Sequence, residues 1–112
     1  MKLEVLHVPD CPNVGVLTDR LDTLTVDRTD VVVQHWTIYD QAEAAERGMT
    51  GSPTLLVDGV DPFAAADQPP SLSCRLYIDE SGAVSGAPSL AQLRAVLADR
   101  PNRRPPRQRR RR

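Results

Sequence analysis

The fold of this chain is decided at Val8-Pro9-Asp10-Cys11-Pro12-Asn13-Val14, where one pattern of apolar residues gives way to another. Polar and apolar side chains alternate over residues 2–8, and this alternation predicts a β-strand. After the stretch, apolar residues recur at helical spacing and predict an amphipathic helix; they are Val14, Leu17, Leu21 and Leu24. The quoted stretch is therefore a strand-to-helix turn.

Cys11 is the candidate reactive residue of this turn. Pro12 suits the first position of a helix, because its missing N–H group would have no intrahelical partner there. We therefore expect Cys11 at the helix N-cap, where free N–H groups and the helix dipole stabilise a thiolate. The carboxylate of Asp10 opposes that effect if it lies close. The alternative is that Cys11 is a small capping residue with an ordinary thiol.

Length and cysteine usage narrow the class of protein. A chain of 112 residues suits one domain with a single modest core. No apolar run approaches the ~20 residues of a membrane span, and the first residues lack the apolar segment of a secretory signal. Cys11 and Cys74 are 63 positions apart, which fits neither a disulfide scaffold nor a four-ligand zinc site. We expect a cytoplasmic protein with no membrane partner and with free or transiently oxidised thiols.

The net charge of −1 hides a division between two parts of the chain. Residues 1–99 carry six basic and fifteen acidic side chains, a net charge of −9, and residues 100–112 carry eight arginines. Three prolines and almost no apolar residues predict that 100–112 is a disordered tail outside a domain spanning 1–99. A nucleic-acid partner is expected only if this tail acts as an electrostatic arm. The simpler interpretation is a solvated extension that folds back on its own acidic domain.

The middle of the chain predicts a strand, a helix and a second strand. Residues 31–38 are rich in β-branched side chains, and their apolar start indicates an inner strand buried on both faces. Asp40 and Glu43 form a capping box that opens a short helix, and Gly48 ends it. Residues 54–58 predict an apolar strand that begins directly after a proline.

The last third of the chain opens with an irregular loop. Residues 59–73 are longer than a tight hairpin, and we expect Phe63 to hold this loop against the domain. Residues 74–78 predict a strand. Ser89 and Gln92 form a second capping box, which opens the final helix.

Two motifs in this order resemble the thioredoxin-like fold over residues 2–99. They are Cys11-Pro12 at the first helix and Ser52-Pro53-Thr54 before the third strand. The resemblance implies an α/β fold with a central mixed sheet of about four strands flanked by helices. It also implies a cis Ser52–Pro53 bond that faces Cys11, with Pro12, Ser52, Pro53 and Thr54 binding the substrate.

The sequence departs from the dithiol members of that family at Val14, which stands where they carry a second cysteine. The resemblance then implies a monothiol, glutaredoxin-like protein that performs thiol redox or thiol transfer through Cys11. No bound cofactor is expected. Glutathione is a candidate co-substrate, and the expected partner is a thiol-containing small molecule or protein.

A second resemblance comes from residues 71–77 and 86–89, which resemble part of the organomercurial (alkylmercury) lyases. It implies that Cys11 and Cys74 are the two catalytic, mercury-binding thiols, because soft Hg(II) prefers paired thiolates. In that family an aspartate three residues after the first cysteine delivers the proton. Val14 stands there, so Asp10 is the nearest candidate. No other metal is expected.

The position of Cys74 is left open by the sequence. In a thioredoxin-like sheet the strand over 54–58 runs about 16 Å away from Cys11, which would leave Cys74 as an inert, buried residue at a strand start. The long loop over 59–73 can instead bring Cys74 back to Cys11. A third function, a non-catalytic adaptor, also stays open.

Overall fold

The computed structural model describes residues 1–99, and the predicted disordered tail over 100–112 lies outside the described residues. The chain is a mixed α/β protein. Its elements are β1 (Lys2–His7), α1 (Val14–Thr25), β2 (Val32–Thr37), α2 (Gln41–Arg47), β3 (Thr50–Ser52), β4 (Thr54–Val57), β5 (Ser71–Cys74), β6 (Tyr77–Ile78), β7 (Val84–Ser85) and α3 (Leu90–Asp99).

The strands form three small sheets within residues 1–99. The largest has the order β2-β1-β4, in which β1 runs parallel to β2 and antiparallel to β4. β3 pairs with β5 in parallel, and β6 pairs with β7 in an antiparallel ribbon. The largest sheet thus has three strands where we expected about four. The strand predicted over 74–78 is divided, because Cys74 ends β5 and Tyr77 begins β6.

The core lies on both faces of the three-stranded sheet. Side chains of β1 and β4 alternate between the faces, so Leu3 and Val5 point to one side and Leu6 to the other. On the first side they pack against α1 and α3, through Leu17, Leu21, Leu93 and Leu97. On the second side Leu6 packs with Ile38, Ala44, Met49 and Leu56. The sheet is the middle layer of three.

The prediction that β2 is an inner strand buried on both faces is wrong. Among the described residues β2 pairs with β1 alone, so it lies at the edge of the sheet, and Val32 is 58% exposed. The reason is topological, since β4 adds to the opposite side of β1. The apolar run at the start of β2 therefore covers only one face, where Val33 packs against the core.

Both capping boxes predicted from the sequence begin helices as expected. The Asp40 carboxylate accepts a hydrogen bond from the Glu43 N–H group at 2.8 Å, and Gly48 ends α2 with a φ of 87°. The Ser89 hydroxyl accepts from the Gln92 N–H group at 3.0 Å, and the Gln92 side chain accepts from the Ser89 N–H group at 2.9 Å. No helix within residues 1–99 has the length and apolar character needed to cross a membrane.

Candidate functional site

The turn that carries Cys11 is longer than the sequence predicts. Asn13, and not Cys11, is the N-cap of α1, because the first helical bond runs from the Leu17 N–H group to the Asn13 carbonyl at 3.1 Å. The predictions of Cys11 at the N-cap and Pro12 at the first helical position are therefore wrong. The backbone of Asp10 lies in the left-handed region, with a φ of 61°, and the chain completes this turn before it becomes helical.

Both thiols are free but differ in access. Cys11 is buried, with 8% of its surface exposed, whereas Cys74 is exposed. The neighbours of Cys11 in the chain, Asp10 and Pro12, are both exposed. The Asp10 carboxylate therefore lies in solvent beside a thiol that is largely covered.

The peptide bond between Ser52 and Pro53 is cis, as expected from the resemblance to the thioredoxin-like fold. Ser52 is 1% exposed and bonds in two directions. Its hydroxyl accepts a hydrogen bond from the Val8 N–H group at 3.0 Å, and its carbonyl accepts from the Arg75 N–H group at 3.0 Å. Ser52 therefore joins the end of β1, which leads into Cys11, to the end of β5.

Cys74 lies beside Ser52, the residue that precedes the cis peptide bond. Ser52 and Cys74 are paired in the register of β3 and β5, so their Cα atoms are about one strand spacing, ~4.8 Å, apart. A Cβ atom added to Gly51 would lie 2.8 Å from the Cβ atom of Arg75, which places these two residues on one face of the pair. The register shifts between Thr50 and Ser52, so β5 uses one more residue than β3 to reach this pairing.

The predictions that Cys74 is buried and that it begins a strand are wrong. Cys74 ends β5, and it is exposed. The parallel pairing of β5 with β3 brings Cys74 back to Ser52, whereas an antiparallel hairpin with β4 would have carried it away. The long loop makes this possible, since it lets the chain return to the start of β3 before β5 begins.

Tyr77 connects Pro53 with the surroundings of Cys11. It is 4% exposed, and its hydroxyl donates to the Pro53 carbonyl at 2.5 Å. Burial raises the pKa of Tyr77 well above its ordinary value; Arg75 opposes the rise, and Asp61 and the nearby Cys11 thiol add to it. Cys11 is therefore an electrostatic neighbour of the tyrosine that holds the Pro53 carbonyl.

A buried ion pair that was not predicted from the sequence supports the site. The Arg75 guanidinium and the Asp61 carboxylate approach to 2.7 Å, with side chains only 4% and 10% exposed. Arg75 also donates to the Phe63 carbonyl at 2.8 Å and to the hydroxyls of Thr50 and Thr54 at 3.2 and 3.3 Å. One signal was present: a lone arginine within the otherwise apolar strand predicted over 74–78.

The ion pair fixes the loop that precedes β5. Asp61 and Phe63 both come from this loop, and the Phe63 ring packs edge-on against Tyr77 with 5.6 Å between ring centroids. Phe63 therefore holds the loop against the domain, as the sequence predicts. Thr54 donates to the Gly51 carbonyl at 2.6 Å, so its hydroxyl is engaged in this network as well.

The chemistry available at the site is that of thiols. Within residues 1–99 no group of three or more His, Cys, Asp and Glu side chains is arranged to hold a metal ion. Two thiols can exchange disulfides, and they can also bind a soft metal ion that accepts two ligands.

Comparison with known proteins adds no relative: no family model, no curated protein and no solved structure matches this chain. The function must therefore be inferred from the residues and their geometry.

Proposed function

We propose that this chain is a thioredoxin-like thiol protein that performs thiol redox or thiol transfer through Cys11. The observation that carries the proposal is the pair of hydrogen bonds that Ser52 accepts. One of them connects the cis-proline segment to the turn that leads to Cys11. The order of elements up to β4 and the pairing β2-β1-β4 fit this architecture. The parallel β5 is a departure from it.

In the proposed reaction the Cys11 thiolate attacks one sulfur of an external disulfide. A new disulfide forms between Cys11 and that sulfur, and the other half of the substrate leaves as a thiolate. A second thiol, such as glutathione, then attacks the mixed disulfide and restores Cys11. Of the residues predicted to bind substrate, only Pro12 is exposed. Ser52, Pro53 and Thr54 are buried, so they would support the binding surface from beneath. A cytoplasmic location, where such thiols stay reduced, is part of this proposal.

Intact-mass spectrometry of Cys74→Ser tests the proposal, because Cys11 is then the only thiol. After incubation with oxidised glutathione, the folded protein should gain one glutathione, and added reduced glutathione should remove it. The same variant in denaturant shows the reactivity of an unstructured thiol, and the double serine variant shows the background. If Cys11 reacts in denaturant but not in the folded chain, it is only a packed residue. The non-catalytic adaptor would then be the better interpretation.

Mercury binding or cleavage is a second candidate function, favoured by the exposure of Cys74 beside Ser52. Hg(II) takes two thiolates, so Cys11 and Cys74 would suffice as its ligands. We expect one Hg(II) per chain, with binding sharply weakened in either serine variant. If the protein also cleaves an organomercurial, Asp10 is the candidate proton donor. Asp10→Asn should then abolish cleavage and spare Hg(II) binding, and equal cleavage by both forms would exclude Asp10 from that role.

A further inference from the structure

We infer that Cys74 is the resolving thiol for Cys11, so that the two form an internal disulfide across the Ser52–Pro53 segment. The inference rests on the proposed function and extends it from one thiol to two. Val14 denies the chain a local resolving cysteine, and Cys74 is the only other cysteine in the sequence.

The segments that carry the two cysteines both contact Ser52. Ser52 and Cys74 are register partners in the β3–β5 pair. The Ser52 hydroxyl accepts a hydrogen bond from the Val8 N–H group, three residues before Cys11. A disulfide requires Cα atoms within about 7 Å, and this arrangement brings the two segments together at one residue.

The segment that carries Cys74 already makes a hydrogen bond to the backbone beside Pro53. The Arg75 N–H group donates to the Ser52 carbonyl. An extended external thiol substrate that sought this carbonyl would compete with the chain's own residue. The Arg75 side chain is held by Asp61 and the Phe63 carbonyl, so the residue that directly follows Cys74 is fixed in place.

The two thiols differ in exposure to solvent. Cys11 is 8% exposed and Cys74 is exposed, so an external disulfide reaches Cys74 more readily than Cys11. In either order one thiolate attacks the substrate and releases one thiol. The other cysteine then attacks the mixed disulfide and releases the second thiol. Overall two protein thiols are oxidised to one disulfide, and the substrate disulfide is reduced to two thiols.

The test treats the reduced wild-type chain with oxidised glutathione at low protein concentration and measures its intact mass. We expect a loss of two hydrogen masses with no retained glutathione, and peptide mapping should join Cys11 to Cys74. Each single serine variant should instead retain one glutathione. In denaturant the wild type should also retain glutathione, because the folded geometry that brings the cysteines together is absent.

The outcomes separate the inference from the function on which it rests. A folded wild type that retains glutathione, or forms only dimers linked between chains, overturns the role of Cys74. A lack of adduct on Cys11 in Cys74→Ser counts instead against Cys11 as the reactive thiol of the proposed function. An internal disulfide in the wild type would still establish the pair in that case, with Cys74 as the thiol that meets the substrate.

Discussion

Ser52 and Cys74 lie side by side in the parallel pairing of β3 and β5, and the N–H group of Arg75 donates to the Ser52 carbonyl. The Ser52 hydroxyl accepts from the Val8 N–H group at the other end of the same residue. One buried serine thus connects the segments that carry the two cysteines of the chain.

Removing the Ser52 hydroxyl should weaken the connection between the two cysteine-carrying segments without changing either cysteine. In Ser52→Ala the Val8 N–H group loses its acceptor, which should lower the free energy of unfolding by about 1–3 kcal/mol. Closure of the Cys11–Cys74 disulfide should also be slower than in the wild type, as measured by quenched mass spectrometry. Ser73→Ala is the control, because Ser73 is exposed next to Cys74. Equal closure rates in both variants would contradict the role given to Ser52.

Breaking the buried ion pair should be strongly destabilising. Asp61→Ala leaves the Arg75 charge buried without its carboxylate partner. We therefore expect the free energy of unfolding, measured in urea, to fall by about 3–5 kcal/mol. The matched control is Asp30→Ala. Asp30 pairs with Arg28 at the same 2.7 Å but at an exposed position. That variant should change stability little, because water screens exposed pairs. Similar losses in the two variants would contradict a supporting role for the buried pair.

Gly51 should tolerate no side chain. A Cβ atom there would lie 2.8 Å from the Cβ atom of Arg75, and Gly51 has a φ of 132°, which strains any other residue. We expect Gly51→Ala to destabilise the fold by roughly 1–3 kcal/mol and to disturb the β3–β5 pairing. Gly15→Ala is the control with the opposite sign. Gly15 lies in α1 with open space around it, so Gly15→Ala should raise the free energy of unfolding by at most about 1 kcal/mol. Thermal unfolding of both variants measures this difference in stability. A Gly51→Ala variant as stable as the wild type would contradict the close approach of Gly51 to Arg75.

Stability above pH 10 should depend on Tyr77. Burial raises the folded-state pKa of Tyr77 above the value of about 10 for an exposed tyrosine. The neutral phenol therefore makes its full contribution to the free energy of unfolding below about pH 10. This contribution is lost as the pH rises further. Tyr77→Phe also loses the hydrogen bond to Pro53, so it should be less stable by about 1–3 kcal/mol at neutral pH.

The measurement for Tyr77 is the free energy of unfolding between pH 8 and pH 12. The wild type should lose stability more steeply above pH 10 than Tyr77→Phe does. Tyr39 is 70% exposed, and Tyr39→Phe should keep the wild-type slope. If all three proteins show one slope, the phenol of Tyr77 is not protected by the fold.

Features set by neighbouring residues were predictable from the sequence. The capping boxes at Asp40 and Ser89 depend on side chains three residues apart, and both begin helices in the structure. The cis bond before Pro53 was expected from the resemblance to the thioredoxin-like fold. The helix over 14–25 followed from its apolar spacing.

Features set by distant segments were not predictable in the same way. The apolar start of β2 suggested burial on both faces, but the side on which β4 joins the sheet decided its exposure. The N-cap of α1 was predicted at Cys11 but lies at Asn13, two residues later. The left-handed backbone of Asp10 lengthens the turn before the helix, and no local pattern indicated this. The pair of Asp61 and Arg75 forms only because the loop folds over β3, and no local pattern encodes that.

The most direct test of the central claim asks whether Cys11 and Cys74 share one site, independently of redox chemistry. Dibromobimane joins two thiols only when they lie within a few ångströms, and it becomes strongly fluorescent on bridging them. The reduced, folded wild type should become fluorescent with one bridge per chain, and Cys11→Ser and Cys74→Ser should stay dark. A wild-type chain that stays dark while each thiol is modified singly would contradict the account.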